Sequence, residues 1–407
     1  MRLLVLERIP RIAMANEPTP NQSRLASIDT YRGFVMFLML AEVMRLPAVA
    51  RAFPGSGFWK FLGEQQTHVE WQGCSLHDLI QPSFSFLVGV AMPFSLASRA
   101  AQGQQKWVSS LHAFWRGFAL VGLGIFLRSL SAKQTNYTFE DTLTQIGLGY
   151  PLLYFIALGP PRLRWVSVGL ILLGYWALFA FFPVPPDDSS WLGVPSDWPH
   201  HPTGFAAHWD KNSTPAWEID YWFLNLFPRS EPFLYNRGGY ATSSFFPTLA
   251  TMILGVSGGE LLKSNRSSKT KVLVLVIAGV TGLSVGYALG YFGLCPIVKR
   301  IWTPSWVLFS GGWCALLLAF FFAATDWSGY RGWAFPLIVI GANSIAAYVG
   351  EHLFMHFITD ALKRHFGAEN FQMVSPKDES FLLGFAALVV FWLGLFWMYR
   401  RRLFIKV

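Results

Sequence analysis

Long apolar runs separated by short polar stretches dominate the pattern of this chain. Runs of about 20 residues match the length that one helix needs to cross the hydrocarbon core of a bilayer. Because lipid cannot hydrogen-bond a bare backbone, each run should be a helix. The ten runs cover about 30–50, 79–98, 113–130, 143–159, 165–183, 244–262, 272–293, 305–324, 335–358 and 381–399. The pattern therefore predicts an all-α, polytopic membrane helical bundle of about ten transmembrane helices.

Composition supports a core built in lipid. Of the 407 residues, 53% are hydrophobic and only 14% are charged, whereas a soluble domain carries about 25% charged residues. The net charge of +9 is typical of basic loops beside anionic membrane surfaces. No basic patch with a nucleic-acid motif accompanies it. We therefore expect membrane lipids as partners and no nucleic acid.

The distribution of Lys and Arg predicts the sidedness of the bundle. The clusters "KSNRSSKTK" and "YRRRLFIK" fall on the cytoplasmic side if the N-terminus is cytoplasmic. An even number of spans then places both termini in the cytoplasm. We interpret residues 1–23 as a cytoplasmic tail and 24–407 as the transmembrane domain. A Trp- and His-rich loop at about 183–243 lies on the outer face, and a loop of this length is usually functional or disordered.

Three charged residues at the start of the first predicted span and within it are candidates for function. Asp29 and Arg32 are three residues apart and share a helix face. They are either an anchor pair at a helix end or a polar contact for a charged donor molecule. Glu42 follows Arg32 by ten residues, or about 15 Å of helix, which places it near mid-bilayer. A carboxyl group there is a candidate functional residue; the alternative is a protonated acid bonded to a neighbouring helix.

The segment "THVEWQGCSLHDLIQPSFSFLVGV" places titratable groups at the start of the second span. His68 is a candidate general base, since imidazole titrates near neutral pH, and Asp78 could orient it. The alternatives are an interfacial histidine without a role and an aspartate that complements a helix dipole. Cys74 is a weak candidate for a thiol acyl carrier, because only histidines nearby would lower its pKa.

A second histidine pattern, "GANSIAAYVGEHLFMHF", has His352 and His356 four residues apart, beside Glu351. Zinc helices use this spacing, but no third ligand is identifiable, so we expect no metal site. The small residues of this segment favour a closely packed helix. Asn343 within it is a polar group that needs a partner.

Several segments together resemble one known family. They are "RLASIDTYRGFVMFLM", "HVEWQGCSLHDLIQPSFSFLVGVAMPFS", "LGYPLLYF", "FFPTLATMILGVSGGELL", "KRIWTPSWVLFSGGW" and "GANSIAAYVGEHLF". In this order they resemble the heparan-alpha-glucosaminide N-acetyltransferase family and its bacterial relatives, over nearly the whole chain from about residue 23. Members of that family move an acetyl group from cytoplasmic acetyl-CoA to a terminal glucosamine across the membrane.

The resemblance implies an acetyl-CoA-dependent N-acetyltransferase in a bacterial inner membrane, with acetyl-CoA as co-substrate. The acceptor is expected to be an amino sugar or a related glycan, and a homodimer is one expected assembly. The catalytic histidine of the family falls on His68, as general base or as transient acyl carrier. We assign His68, Asp78 and Glu42 as catalytic candidates and Asp29, Arg32, Arg99, Arg116 and Asn343 as candidates for binding the cofactor, with Lys106 as a further phosphate contact.

Two positions depart from the family pattern. Where many relatives carry an Asn near the outer end of the first span, this chain has Glu42. Where relatives have "D-P-E-G" before the sixth span, this chain has "YNRGGYATSS" without acids. The acceptor can therefore differ from glucosamine. Two other classes stay open: a transporter or flippase that uses Glu42, Asp78 and Glu351 as a proton relay, and a structural membrane subunit.

Overall fold

The computed structural model of the chain describes residues 25–184, 190–372 and 379–405. The tail predicted at 1–23 lies outside these residues. Within them the chain is helical, and its β pairing is limited to one isolated antiparallel bridge between Gln72 and Val298. The helices are α1 (Ala26–Leu40), α2 (Leu46–Ala52), α3 (Gly57–Gln65), α4 (Ile80–Ala101), α5 (Lys106–Ser129), α6 (Thr142–Leu158), α7 (Pro161–Ala180), α8 (Pro215–Leu224), α9 (Phe245–Lys263), α10 (Ser268–Tyr291), α11 (Pro304–Phe321), α12 (Phe335–Ala342), α13 (Ser344–Phe366) and α14 (Glu379–Arg400).

All ten predicted segments coincide with helices, which confirms the all-α membrane architecture. Among the described residues, seven helical segments are long and apolar enough to cross a membrane: His77–Ala101, Lys106–Ser129, Pro161–Ala180, Thr242–Lys263, Ser268–Tyr291, Pro304–Trp327 and Glu379–Arg400. Two bent pairs, α1 with α2 and α12 with α13, would bring the number to nine. Helix α6 has only 17 residues. The count of ten crossings and the cytoplasmic position of the termini stay predictions.

Two predicted spans are not continuous helices, and the structure corrects them. The span at 30–50 bends by 45° at Arg45, where the backbone enters the left-handed region with φ 50°. The span at 335–358 bends by 81° at Asn343, whose φ of −124° and ψ of 39° are not helical. Apolarity predicts that a segment enters the bilayer, but it carries no signal for a local break of this kind.

Helix ends in the bundle are set by side chains that accept backbone N–H groups. Asp141 caps α6 through Leu143 N at 2.9 Å and Thr144 N at 3.2 Å, and Ser267 caps α10 through Thr270 N at 3.2 Å. The N-terminus of α1 is capped from elsewhere in the chain, because Asp326 accepts from Ser27 N at 2.9 Å. Such caps satisfy donors that a helix leaves unpaired.

Helices α4 and α9 form the centre of the bundle, where glycines allow backbone contact. A Cβ added to Gly89 would collide with the Met252 carbonyl, and one added to Gly255 with the Phe86 carbonyl. Close approach of this kind is typical of membrane helices. At the other extreme, α10 buries only Leu275, Gly279 and Gly286, which leaves most of its apolar surface for lipid.

The two ends of α4 provide names for the two ends of the bundle. We call the end at Ile80, which the turn His77–Leu79 precedes, the outer end. The end at Ala101 is the inner end, and both names follow the predicted sidedness. At the outer end, the described parts of the 183–243 loop contain α8 and short 3₁₀ turns such as Gly204–Trp209. They pack on an apolar cluster that includes Trp71, Phe179 and Trp209, all buried. The described parts of the outer loop therefore form a packed cap at this end.

Candidate active site

His68 lies at the outer end, in a non-helical segment between α3 and the 3₁₀ turn His77–Leu79 that leads into α4. Two contacts hold this segment to the chain that precedes α11. Gly73 N donates to the Ile297 carbonyl at 3.0 Å, and Gln72 pairs with Val298 as an antiparallel bridge. The backbone around His68 is thus fixed by hydrogen bonds to the 292–303 segment, more than 200 residues away in the chain.

His68 and Asp78, which the sequence proposed as a pair, are in direct contact. Nδ1 of His68 lies 2.7 Å from Oδ1 of Asp78. An ionised carboxylate only accepts hydrogen bonds, so the ring proton belongs on Nδ1. The lone pair is then on Nε2, which no described residue binds. The side chain of His68 is 37% exposed while that of Asp78 is 1% exposed. One ring nitrogen is thus anchored, and the side chain as a whole is partly exposed.

The second oxygen of Asp78 fixes the carboxylate in its place. Oδ2 accepts from Ser75 N at 3.0 Å and Ser75 Oγ at 2.9 Å, and from Val69 N at 3.3 Å. Asp78 therefore belongs to a hydrogen-bonded turn that includes His68's own neighbours. Its position before α4 is set by these contacts as well as by the helix it precedes.

Lys299 is a member of this cluster that the sequence did not single out. Its Nζ lies 3.3 Å from Asp78 Oδ1 and 3.1 Å from His68 Nδ1, and its side chain is 5% exposed. The only available signal was its place inside "KRIWTPSW", one of the segments that carry the family resemblance. A lone lysine between two predicted spans otherwise looks like an interfacial anchor.

Glu42 reaches the site through a second histidine. Its Oε1 lies 3.3 Å from Nε2 of His77, and the rings of His77 and His68 are 4.4 Å apart, centroid to centroid. Glu351 and His352, 2.7 Å apart, are near enough to Glu42 to interact with it electrostatically. The structure thus brings all three catalytic candidates into one cluster, in which Glu42 contacts His77 and His77 lies beside His68.

The electrostatics of the site favour a neutral imidazole. Burial lowers the pKa of His68; the hydrogen bond from its ring to Asp78 opposes this, and the charges of Lys299 and Arg300 add to the lowering. A neutral ring is the form that takes up a proton. Burial raises the pKa of the Cys74 thiol to about 12, so this cysteine stays protonated and is a poor nucleophile.

A partly exposed aromatic surface lies at the outer end, against Trp71 of the segment that carries His68. Trp198 packs edge-on against the buried Trp71, with ring centroids 5.9 Å apart, and Nζ of Lys211 lies 5.3 Å from the centroid of the Trp198 ring. His201, whose Nδ1 is 2.6 Å from Asp210 Oδ2, meets the other edge of Trp198. Aromatic faces beside charged groups suit a polar ring-shaped ligand.

A cavity of about 620 Å³ opens at the inner end of the same helices. Its basic lining comprises Arg99, Lys106 and Lys263, with Pro93 and Tyr154 among the residues at its wall. Arg99 of the predicted donor set is therefore in a cavity. His77 and Arg99 stand 22 positions apart on one helical segment, which corresponds to about 33 Å.

Lys106, the further phosphate contact, also lines this cavity, whereas the remaining donor candidates do not. Arg116 donates to the Tyr150 hydroxyl at 3.0 Å and stacks over that ring. Asp29 and Arg32 lie 3.6 Å apart on α1. Asn343 sits at the break between α12 and α13 and accepts from Ile405 N at 3.3 Å. The predicted set is therefore divided among separate places, because sequence spacing on one helix carries no information about contacts with other helices.

Comparison with known proteins finds two curated relatives among its matches. They are the heparan-alpha-glucosaminide N-acetyltransferases of Homo sapiens and Mus musculus, each 23% identical over 82% of this chain. This chain is a distant relative of those two proteins. The matches cover 53% and 54% of the relatives, so the chain spans about half their length. No family model matches.

The relationship confirms the resemblance inferred from the motifs. It does not test the role of any single residue, so the assignments of His68, Asp78, Glu42 and the donor residues stay predictions. The motifs pointed to the His68–Asp78 pair, while Arg99 was one of several basic residues proposed for the phosphates of the donor. They missed the contacts of Lys299 and His77, which depend on how distant segments meet.

Proposed function

We propose that the chain is a transmembrane acyltransferase that moves an acetyl group from acetyl-CoA, bound at the inner end, to an amino sugar or related glycan at the outer end. It would act in a bacterial inner membrane, with the inner end in the cytoplasm. The observation that carries the proposal is the 2.7 Å contact between His68 and Asp78, which leaves Nε2 of a partly exposed histidine as a base. The names of the two relatives supply the acetyl group and the sugar.

His68 acts as the base in the proposed reaction. Its Nε2 takes a proton from the acceptor amine as the amine nitrogen attacks the thioester carbonyl carbon. The new C–N bond forms, the C–S bond breaks, and the proton passes from His68 to the departing thiolate of CoA. Asp78 orients the ring and stabilises the imidazolium that forms. General base catalysis of this kind typically contributes about 10²–10⁴-fold to the rate.

The inner cavity is the proposed site for the polar part of acetyl-CoA. Its three cationic side chains, Arg99, Lys106 and Lys263, suit phosphate groups. Glu260, also at its wall, is paired with Arg164 from α7, which reduces the repulsion that a lone carboxylate would exert. The residues present therefore fit a polyanionic donor. Acetyl-CoA should raise the melting temperature of the protein, because a ligand that binds only the folded state stabilises it.

The distance between the two ends sets a requirement for this function. The cavity wall reaches Pro93, which is 16 positions from His77 and therefore about 24 Å away along the helix. In between, α4 and α9 are in backbone contact at Gly89 and Gly255. The pantetheine arm that carries the acetyl group must therefore pass along another face of α4, or these helices must separate. A crosslink between α4 and α9, through cysteines placed away from these glycines, would distinguish the two routes, since it would block only the second.

A direct test uses purified protein in detergent with labelled acetyl-CoA and a panel of amino sugars. His68→Ala should lower transfer by about 10²–10⁴-fold. His356→Ala is a matched control, because it removes an exposed histidine on α13. Transfer by His68→Ala at the wild-type rate would refute the mechanism. Single-turnover mass spectrometry without acceptor would detect acetyl on His68 if transfer proceeds through an acyl-enzyme.

One observation favours the rival class, a proton-coupled transporter or flippase. Glu42 and His77 form a pair near the second pair, Glu351 and His352, and ionisable groups inside a membrane often form proton relays. Against Asp78 as a relay member, its two oxygens are engaged by donors from His68, Ser75, Val69 and Lys299. Flux of substrate across vesicles without consumption of acetyl-CoA would favour transport.

A further inference from the structure

We propose that Lys299 is a positioning residue that balances the charge of Asp78, so that His68 rests as a neutral imidazole with its Nδ1 proton on Asp78 and its Nε2 free. This inference rests on the proposed function only for the role of Nε2 as the base in acetyl transfer. The state of the imidazole itself can be measured without any reaction.

The geometry places Lys299 and His68 on the same carboxylate oxygen. Oδ1 of Asp78 lies 2.7 Å from His68 Nδ1 and 3.3 Å from Lys299 Nζ. The two nitrogens are 3.1 Å apart. An ammonium group has only hydrogens to offer, and so does Nδ1 when it carries the ring proton. The close contact between the nitrogens is therefore not a hydrogen bond in this state, and both groups compete for one acceptor.

The competition between Lys299 and His68 for Asp78 favours the neutral form of His68. Asp78 and Lys299 together carry no net charge, so a neutral His68 leaves the buried group of three uncharged. A protonated His68 would place a second positive charge 3.1 Å from the ammonium, in a region of low dielectric where like charges repel strongly. Without Lys299, the carboxylate would face His68 alone and would stabilise the imidazolium, which is not a base.

The other groups that face His68 do not replace Lys299. Asp78 and His77 come from the 3₁₀ turn before α4, and Glu42, from the 3₁₀ turn after α1, reaches His68 through His77. Cys74, from the same segment as His68, interacts with Asp78 and Lys299. Lys299 and Arg300 come from the 292–303 segment. Arg300 donates to the Gly238 and Val69 carbonyls, at 2.7 Å and 3.2 Å. Lys299 is thus the cation that the described residues place on Asp78.

The fold holds Lys299 rigidly in this position. The segment around it is closed by Thr303, whose Oγ accepts from Val298 N at 3.0 Å and donates to the Pro296 carbonyl at 2.8 Å. Trp302 completes the turn with a positive φ of 50° and is buried. Burial lowers the pKa of Lys299, and the adjacent Asp78 carboxylate opposes this, which favours retention of its charge.

The test measures the titration of His68 in three variants of the full chain. Lys299→Gln removes the charge but can still donate to Asp78, and Lys299→Arg keeps the charge. Lys133→Gln is the matched control, since Lys133 is an exposed residue after α5. Diethyl pyrocarbonate modifies neutral imidazole, so its rate of reaction with His68, followed by peptide mass spectrometry across pH, reports the neutral fraction. His77 is resolved as a separate site in the same spectra.

The expected result is a shift for one variant only. In Lys299→Gln the midpoint of His68 modification moves to higher pH, while Lys299→Arg and Lys133→Gln keep the wild-type midpoint. Acetyl transfer by Lys299→Gln falls about tenfold for each pH unit of that shift, at pH values below the midpoint, and recovers at higher pH. A purely structural role would instead lower transfer equally at every pH.

Two outcomes would overturn the inference. One is an unchanged midpoint in folded Lys299→Gln, with folding checked by size-exclusion chromatography. The other is an equal shift in Lys299→Arg, which would show that charge is not what matters. If instead the midpoint shifts as expected but no acceptor is acetylated even by the wild type, the proposed function fails while the role of Lys299 in setting the state of His68 stands.

Discussion

The contact between Asp78 and Lys299 predicts a large coupling between two buried charges. Both side chains are almost fully buried, at 1% and 5% exposure, and 3.3 Å separates Nζ from Oδ1. At an effective dielectric constant of about 20, two unit charges at this distance attract by about 5 kcal/mol. Removing one partner of a buried pair leaves the other charge unpaired, which typically costs about 3–5 kcal/mol.

A double-mutant cycle measures this coupling. At a pH high enough to keep His68 neutral in all variants, so that an imidazolium does not replace the lost charge, we expect Asp78→Asn and Lys299→Met each to lower the free energy of unfolding by about 3–5 kcal/mol. The double variant should lose much less than the sum of the two, because neither buried charge then remains. Thermal unfolding of the four proteins in the same detergent, followed by tryptophan fluorescence, gives the comparison.

The control cycle uses an exposed pair with similar geometry. Lys363 and Glu379 are 2.9 Å apart, but their side chains are 46% and 25% exposed. Screening by solvent reduces such a pair to about 0–1 kcal/mol. If the losses from Asp78→Asn and Lys299→Met simply add in the double variant, as for independent sites, the reasoning about this cluster is wrong.

Three further predictions test other parts of the molecule. Cys74→Ser should keep wild-type transfer, since the raised pKa of about 12 leaves the thiol protonated; a hundredfold loss, or acetyl found on Cys74, would contradict this. Arg99→Gln should raise the KM for acetyl-CoA about tenfold, as expected for one lost charge-assisted hydrogen bond. Lys269→Gln, which changes an exposed residue at the same end, should leave the KM unchanged. Equal effects of the two substitutions on the KM would contradict the assignment of the cavity as the donor site. Burial raises the pKa of Asp220 from 3.8 to about 7, so its contribution to stability is fully present below the unfolded pKa and is lost as pH rises from there to about 7. The melting temperature of wild type relative to Asp220→Asn should therefore fall as pH rises from the unfolded pKa of 3.8 to about 7 and then level off. A difference that stays constant over this range would refute the prediction.

Much of the helical content was predictable from apolar length alone. A run of about 20 apolar residues forms a helix in lipid because every backbone group must be paired within the segment. That requirement is local, so α4, α9 and α10 follow from their own residues. The bends at Arg45 and Asn343 were not predictable in the same way. Each depends on backbone angles that packing against other helices can stabilise.

The candidate site was likewise predictable where its residues are close together in the sequence, and not where they meet only in the folded structure. His68 and Asp78 are ten residues apart, and one short motif carries both, so that motif is enough to predict their pairing. His77 was also visible in the motif, but its contact with Glu42 required α1 and the start of α4 to meet. The donor residues were the weakest part of the prediction, because Arg116 and Arg99 share a charge but not a location.

The amino-acid sequence was sufficient to predict a helical membrane protein with a titratable cluster at one end of its second span and a distant relationship to N-acetyltransferases. The lengths of its apolar runs and the residues of one motif carry this information, since both act over short distances in the chain. The tertiary structure was needed to show that Lys299, 231 residues from His68, shares Asp78 with it. Electrostatic interactions depend on separation in space, and that separation exists only after the 292–303 segment packs against the histidine.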